Sequence, residues 1–138
     1  MSVIITDTGF ANDDWTHGFA TEIEAANDVI SLDLASDAIP TNLGNRLTGL
    51  KMIRVDFPSS ADGRGFTIAR QLRLMGYTGR LRAKGHILAD QYAMVRRCGF
   101  DEVEISDALA ARQPVDQWQF RADWQAHDYQ ARMRNRAS

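Results

Sequence analysis

The run from Met52 to Ile105 decides the fold. It begins MIRVDFP (Met52–Pro58), passes through DGRG (Asp62–Gly65) and LRAKGHILADQ (Leu81–Gln91), and closes on RRCGFDEVEI (Arg96–Ile105). Met52 to Phe57 reads as a strand, because Ile53 and Val55 are β-branched and Pro58 holds its predecessor extended. A polar loop, Ser59 to Gly65, leads into a helix from about Phe66. Its inner stripe is Ile68, Leu72 and Met75, with Arg70, Gln71 and Arg73 outward and Gly76 suited to the left-handed position past its end. Thr78-Gly79 is a turn and Arg80 to Ala83 a short strand. Ile87 to Cys98 is predicted as a helix whose apolar face joins Ile87, Gln91, Met94 and Cys98, widened by Leu88 and Val95. Gly99 ends it, Val103 to Ile105 forms a further strand, and Ser106 or Asp107 caps a last helix over Asp107–Arg112.

The same rhythm extends towards the N-terminus. Val29 to Leu34 alternates apolar and polar side chains as a strand does. Pro40 and Thr41 open a short helix with Leu43, Leu47 and Leu50 on one face. Val3-Ile4-Ile5, Thr8-Gly9 and Phe10 read as a hairpin. Between these, Asn12-Asp13-Asp14 ahead of Trp15 reads as charged cover around one buried aromatic, and Ala20 to Ala26 as a helical turn or two. The tail from Gln113 to Ser138 mixes Trp118, Phe120, Trp124 and Tyr129 with polar residues and a basic end at Arg132, Arg134 and Arg136. The spacing of Phe120 and Trp124 predicts an amphipathic helix covering a sheet edge or a partner, with the final residues frayed.

Strands alternating with helices imply parallel βαβ units joined by right-handed crossovers. The predicted fold class is therefore α/β: repeated βα units around a mainly parallel sheet of about four strands, with an N-terminal hairpin and a helical or partly disordered C-terminal tail. An open sheet and a half-barrel-like arc both satisfy the pattern. The chain is expected to be a single domain over 1–138, with its core at about 29–113 and the tail at 114–138.

Composition narrows the function classes. With 44% hydrophobic and 25% charged residues in 138, the chain has enough apolar mass for a core without metal or disulfide support. A net charge of −2 offers no basic surplus for a nucleic-acid backbone. One cysteine, Cys98, rules out an intrachain disulfide and a four-thiolate metal site within one chain. No apolar run approaches a membrane span and no basic-then-apolar leader opens the sequence, so a cytoplasmic location is expected. His17, His86 and His127 are too scattered to suggest a metal site, and no cofactor is expected. The glycines of DGRG do not form a dinucleotide fingerprint, since Ile68 stands where a third glycine would be needed.

Ligands of parallel α/β folds sit beyond the carboxyl ends of the strands. That rule gathers the loops at Asp56–Gly65, Lys84–His86 and Ser106–Asp107 on one edge. Asp62, Arg64, Lys84 and His86 become the candidates for binding a small anion such as phosphate, sulfate or sulfite. Against this stands the plainer reading, in which Asp62 and Gly63 shape a turn and Arg64 pairs with an acid. Gln91 is expected to clamp neighbouring backbone, and Asp90 to reach Arg64, Arg70 or Arg82. Cys98 is expected to act as a small hydrophobe at the end of its helix that does not stabilise a thiolate.

The string VDFP, DGRG, LRA-x-G, DQ and RRCGFD resembles a bacterial family, domain of unknown function family 934. The matching positions are Asp56, Phe57, Pro58, Asp62, Gly63, Arg64, Gly65, Arg82, Gly85, Asp90, Gln91, Arg97, Cys98, Gly99, Phe100 and Asp101, and DDW at Asp13–Trp15 is similar as well. The resemblance implies an accessory protein of sulfur assimilation, because genes of that family lie beside those of assimilatory sulfite reductase. Its oxidoreductase label comes from the same neighbourhood and brings no transferable mechanism. Sulfite reductase or another protein of sulfur assimilation is the partner so implied, and self-association stays open. The sequence departs from the pattern at Lys84, where an apolar residue is more usual, at His86, where an acid is more usual, and at Ser59-Ser60-Ala61. Three readings result: an accessory protein binding a partner or a small oxyanion, an enzyme using the 62–64 and 84–86 loops, or an interaction module whose tail docks.

Overall fold

The computed structural model describes residues 2–21 and 29–121. The strands are β1 (Ser2–Thr6), β2 (Gly9–Ala11), β3 (Ala20–Thr21), β4 (Ser31–Leu34), β5 (Met52–Phe57), β6 (Arg80–Gly85) and β7 (Glu102–Ser106). They form one sheet in the order β2-β1-β7-β6-β5-β4-β3. From β3 to β7 every pairing is parallel, while β1 lies antiparallel to both β7 and β2. The mostly parallel α/β sheet thus has seven strands rather than about four. Two short additions make the difference: the hairpin extends one edge, and Ala20–Thr21, expected as helix, pairs with Leu32 and Asp33 at the other.

Strand order explains which face is covered. From β4 to β7 the chain steps to the next position in the same direction each time. Right-handed crossovers that all advance one way place their connecting segments on one face. These segments are the 3₁₀ stretch Pro40–Gly49, α1 (Arg64–Leu74), and a 3₁₀ turn at Ala89–Gln91 running into α2 (Tyr92–Arg97). After β7 come α3 (Asp107–Arg112) and α4 (Val115–Arg121). Against them the sheet presents Leu34, Val55, Ala83 and Val103, with Ile53, Phe57, Leu81 and Ile105 beside them, all within one core cluster. Leu72 from α1, Tyr92 and Val95 from α2, and Trp118 from α4 close it.

Local chemistry accounts for the shifts from expectation. The Pro40 segment does bury Leu43, Leu47 and Leu50. Its turns are 3₁₀, interrupted at Gly44, whose φ of 50° and ψ of −127° are open to glycine. The helix expected over Ile87–Cys98 becomes α-helical only at Tyr92. The turn before it advances the chain by a different angle per residue. Of the expected face Ile87, Val95 and Cys98 are buried and Tyr92 joins them, while Met94 is 52% and Leu88 42% exposed. The 107–112 helix matches its expected bounds, with the Ser106 hydroxyl accepting from the Leu109 amide at 3.2 Å. Of the tail, α4 carries Trp118, which is buried, donates its indole N–H to the Gln113 carbonyl at 3.0 Å and meets Tyr92 edge-on. The Phe120–Trp124 pairing, the remaining aromatics and the basic end lie outside the described residues, as does most of the Ala20–Ala26 turn.

Segment Asn12–Phe19 joins β2 to β3, the two outermost strands, by crossing the face that the helices leave open. Asp13 reaches Arg82 on β6 and Asp14 reaches Arg80 on the same strand. Phe19 lies over the Arg54 guanidinium on β5, 3.8 Å from ring centre to carbon, and the Gly18 carbonyl accepts from Ser31 on β4. We refer to this segment as the strap. Trp15 is half-buried in it and donates its indole N–H to the Gly18 carbonyl. Trp15, expected to be buried under charged cover, is thus only half-buried, and Asp13 and Asp14 cover the sheet instead.

Candidate functional site

The open face is built from every second residue of the strands, since strand side chains alternate sides. One row across the sheet reads Asp33, Arg54, Arg82, Glu102 on β4 to β7. The next row towards the carboxyl ends reads Asp56, Lys84, Glu104 on β5 to β7.

The lower row is saturated. Arg54 donates through Nε and Nη2 to the two oxygens of Asp33 at 2.6 and 2.7 Å, and through Nη1 to Glu104 at 3.0 Å. Arg82, 0% exposed, donates through Nε to Glu102 at 2.7 Å and through Nη1 to Glu104 at 3.0 Å. Its outer edge meets both oxygens of Asp13 at 3.0 and 3.1 Å. Arg80 spans Glu102 and Asp14. Desolvation works against the charge on Arg82, yet the Asp13 hydrogen bond and the surrounding acids outweigh it and hold the guanidinium above its ordinary pKa. Asp13 responds in kind: burial pushes its carboxyl up, and the hydrogen bonds from Arg82 and the Trp15 amide together with nearby positive charge bring it below the usual range. A network this complete fixes geometry and leaves no group free for a ligand.

The upper row is different. Among the described residues, Lys84 and Asp56 make no hydrogen bond or ion pair, although they stand in register on neighbouring strands. Glu104, the other neighbour of Lys84, is already held by Arg54 and Arg82. Lys84 lines a cavity of about 310 Å³ with His86, Ser106 and Leu109, and a second of about 440 Å³ with Asp56, Asp33, Asp37 and Arg54. Gly85 sets the exit from β6 between Lys84 and His86. Its φ is +124°, and a Cβ there would run into the Phe57 carbonyl. The His86 amide then donates to that carbonyl at 3.0 Å, and His86 lines the smaller cavity together with Lys84.

The other two anion candidates lie apart from this place. Asp62 accepts from the Arg64 amide at 3.1 Å and takes its guanidinium at 2.7 Å, while Arg64 also donates to Ser36. The side-chain and amide hydrogen bonds of Arg64 hold the Asp62 carboxyl at about 2. The turn at the start of α1 is thus closed on itself, in line with the plainer reading of this loop. Arg64 borders its own shallow cavity with Ser36, Asp37 and Thr67, which meets the larger of the two that Lys84 lines at Asp37 and Ala38.

The remaining motif residues line neither cavity of Lys84. Gln91 accepts from the Leu88 amide and donates to the Ser60 carbonyl, clamping two loops where a strand had been foreseen. Arg82 pairs with Glu102, Glu104 and Asp13, and Asp90 sits exposed in the 3₁₀ turn. Arg97 is exposed on α2. Cys98 is buried; burial pushes its thiol up against the smaller, opposing pull of Arg70, whose guanidinium lies 3.7 Å from Sγ.

A family described as a bacterial protein of unknown function, DUF934, matches residues 31–138. The chain belongs to this family. In DUF934 terms the matched span takes in β4 to β7 and the helices after them, and so both charged rows of the open face. The hairpin and the strap, with Asp13 and Asp14, precede it. No curated protein and no solved structure matches this DUF934 chain.

Sequence reasoning passed over Arg54, Glu102, Glu104 and Asp33. A signal for them was present. Parallel strands with both faces under helices read as continuous apolar runs. Here the strands read Ser-Leu-Asp-Leu, Met-Ile-Arg-Val-Asp-Phe, Arg-Leu-Arg-Ala-Lys and Glu-Val-Glu-Ile-Ser, alternating everywhere but at Met52-Ile53. That pattern marks a sheet with helices on one side only.

Proposed function

We propose that this chain is an accessory protein of bacterial sulfur assimilation that binds a small oxyanion at Lys84 and His86. One observation carries the reading: a lysine ammonium without an acidic partner among the described residues, at the carboxyl end of a central parallel strand, bordering a cavity large enough for a small anion. Strand ends in parallel α/β sheets are where such ligands sit, and a cation left unpaired beside a saturated ion network is an available counter-charge. The link to sulfur rests on the family resemblance, and it makes sulfite the first ligand to try. Lys84 stands where that resemblance more usually has an apolar residue, so the anion site is a property of this chain. The cytoplasm is the compartment that fits this role, and sulfite reductase the partner to test by co-purification.

A ligand that binds only the folded state raises its melting temperature. Sulfite, sulfate and phosphate are to be compared at millimolar concentration against chloride of equal ionic strength. The reading expects a rise with sulfite that Lys84→Gln abolishes. An unchanged melting temperature with all three anions sinks it.

A further inference from the structure

We infer that the cavity between β4, β5 and β6 takes a small zwitterion: an organic sulfonate or carboxylate with an ammonium group two or three bonds away. The inference rests on the reading of Lys84 as the anion-binding cation and asks what else the ligand must carry. The charge of the lining decides it. Besides Lys84, the cavity of about 440 Å³ presents Asp56 and Asp37, and among the described residues no hydrogen bond or ion pair occupies Asp56. Arg54 also lines it, but its guanidinium is held by Asp33 and Glu104 and cannot turn to a ligand without breaking both pairs.

A bare oxyanion held by Lys84 on this side, away from His86, would share the cavity with those two carboxylates, and like charges inside a cleft oppose binding. An ammonium on the same ligand converts the repulsion from Asp56 into a charge-assisted hydrogen bond. Spacing agrees. Asp56 and Lys84 occupy in-register positions on adjacent strands, which places their backbones roughly 4.8 Å apart. A molecule whose anion and cation are joined by a short carbon link can meet both side chains in the cavity they share, and Ala35 and Ala38 give its methylenes an apolar floor.

The test uses three probes on the full chain by titration calorimetry: 2-aminoethanesulfonate, ethanesulfonate and sulfite. The aminosulfonate is expected to bind about tenfold or more tighter than ethanesulfonate, the worth of one charge-assisted hydrogen bond. Asp56→Asn should remove that difference, and Lys84→Gln should weaken both sulfonates. Both positions are exposed, so each variant is expected to keep the parental melting temperature, which is measured alongside. Equal affinities in the parent, or a difference that survives in Asp56→Asn, overturn the zwitterion inference. If sulfite still binds through Lys84 in that event, the oxyanion reading stands alone; if none of the three binds, both fall.

Discussion

Arg82 and Lys84 are two residues apart on one strand, point to the same face, and have opposite fates. The first is sealed among acids; the second meets solvent with no ion pair among the described residues. Removing one partner from a buried ion pair strands the other charge, which costs about 3–5 kcal/mol. Arg82→Met should therefore lower the urea-unfolding free energy towards the lower end of that range, because Glu102 and Glu104 stay buried behind it with only Arg80 and Arg54 left to hold them. Lys84→Gln should change the same quantity by no more than about 0.5 kcal/mol, as exposed sites usually do. A large loss in the lysine variant would show that Lys84 has a hidden structural partner. Both residues stand in one legible string, Leu-Arg-Ala-Lys, yet sequence alone ranks them the wrong way for structure. Arg82 entered as one matching position among many, because its partners lie at Asp13, Glu102 and Glu104, too far along the chain to be read as a group. Cys98 was easier, since apolar neighbours at helical spacing already implied burial. Its thiol should stay unreactive to a disulfide reagent in the folded protein and titrate on unfolding. Rapid labelling under native conditions would contradict that burial.

The strap and α2 show what local pattern can and cannot convey at the level of elements. Asp13 and Asp14 both have carboxyls held below their ordinary range, the second chiefly by the hydrogen bond from Arg80. A depressed folded-state value means stability that is fully present above the unfolded carboxylate pKa of about 3.9 and lost as pH falls through the folded value. The double variant Asp13→Asn, Asp14→Asn should consequently flatten the acid limb of the stability curve below about pH 4, measured by melting temperature across pH. An acid limb identical to that of the parent would mean the pairs do not report on strap docking. Trp118 makes the corresponding case for α4: it fills the core against Tyr92, so Trp118→Ala should cost about 3–5 kcal/mol by urea denaturation. The periodicity of residues 87–98 found a helix and the burial of Ile87, Val95 and Cys98, but it missed Tyr92 and placed Met94 and Leu88 inside. A 3₁₀ entry of three residues, Ala89–Gln91, leaves no mark in hydrophobic spacing and delays the start of α2 to Tyr92. By contrast, Ser106 announced the start of α3 because a cap is a local chemical event.

For the whole molecule, βα alternation gave the parallel sheet, and the advance of the strands in a single direction gave one covered face. The outer strands were harder to foresee. Ala20–Thr21 is too short to show alternation, and β3 exists only because β4 offers it an edge. The strap that leads there carries a mechanical consequence. Ala11 and Ala20 are the ends of the outermost strands, and the sheet between them has six inter-strand gaps. At about 4.8 Å each these gaps measure roughly 29 Å across a flat sheet. Nine residue steps reach at most about 30 to 32 Å fully drawn out. The strap is not fully drawn out, since Asp13 takes the Trp15 amide in a turn and Gly18 bends at a φ of 69°. The two margins of the sheet must therefore be pulled towards each other, as a string shortens the span of a bow. Lengthening the string by one glycine after Thr16 should be absorbed with little loss of melting temperature, whereas deleting Thr16 should demand tighter bending and lower it sharply. Equal effects of insertion and deletion would show the string to be slack. In such a bow the depth of the hollow between Lys84 and Asp56 is set by the length of a connection that touches neither of them.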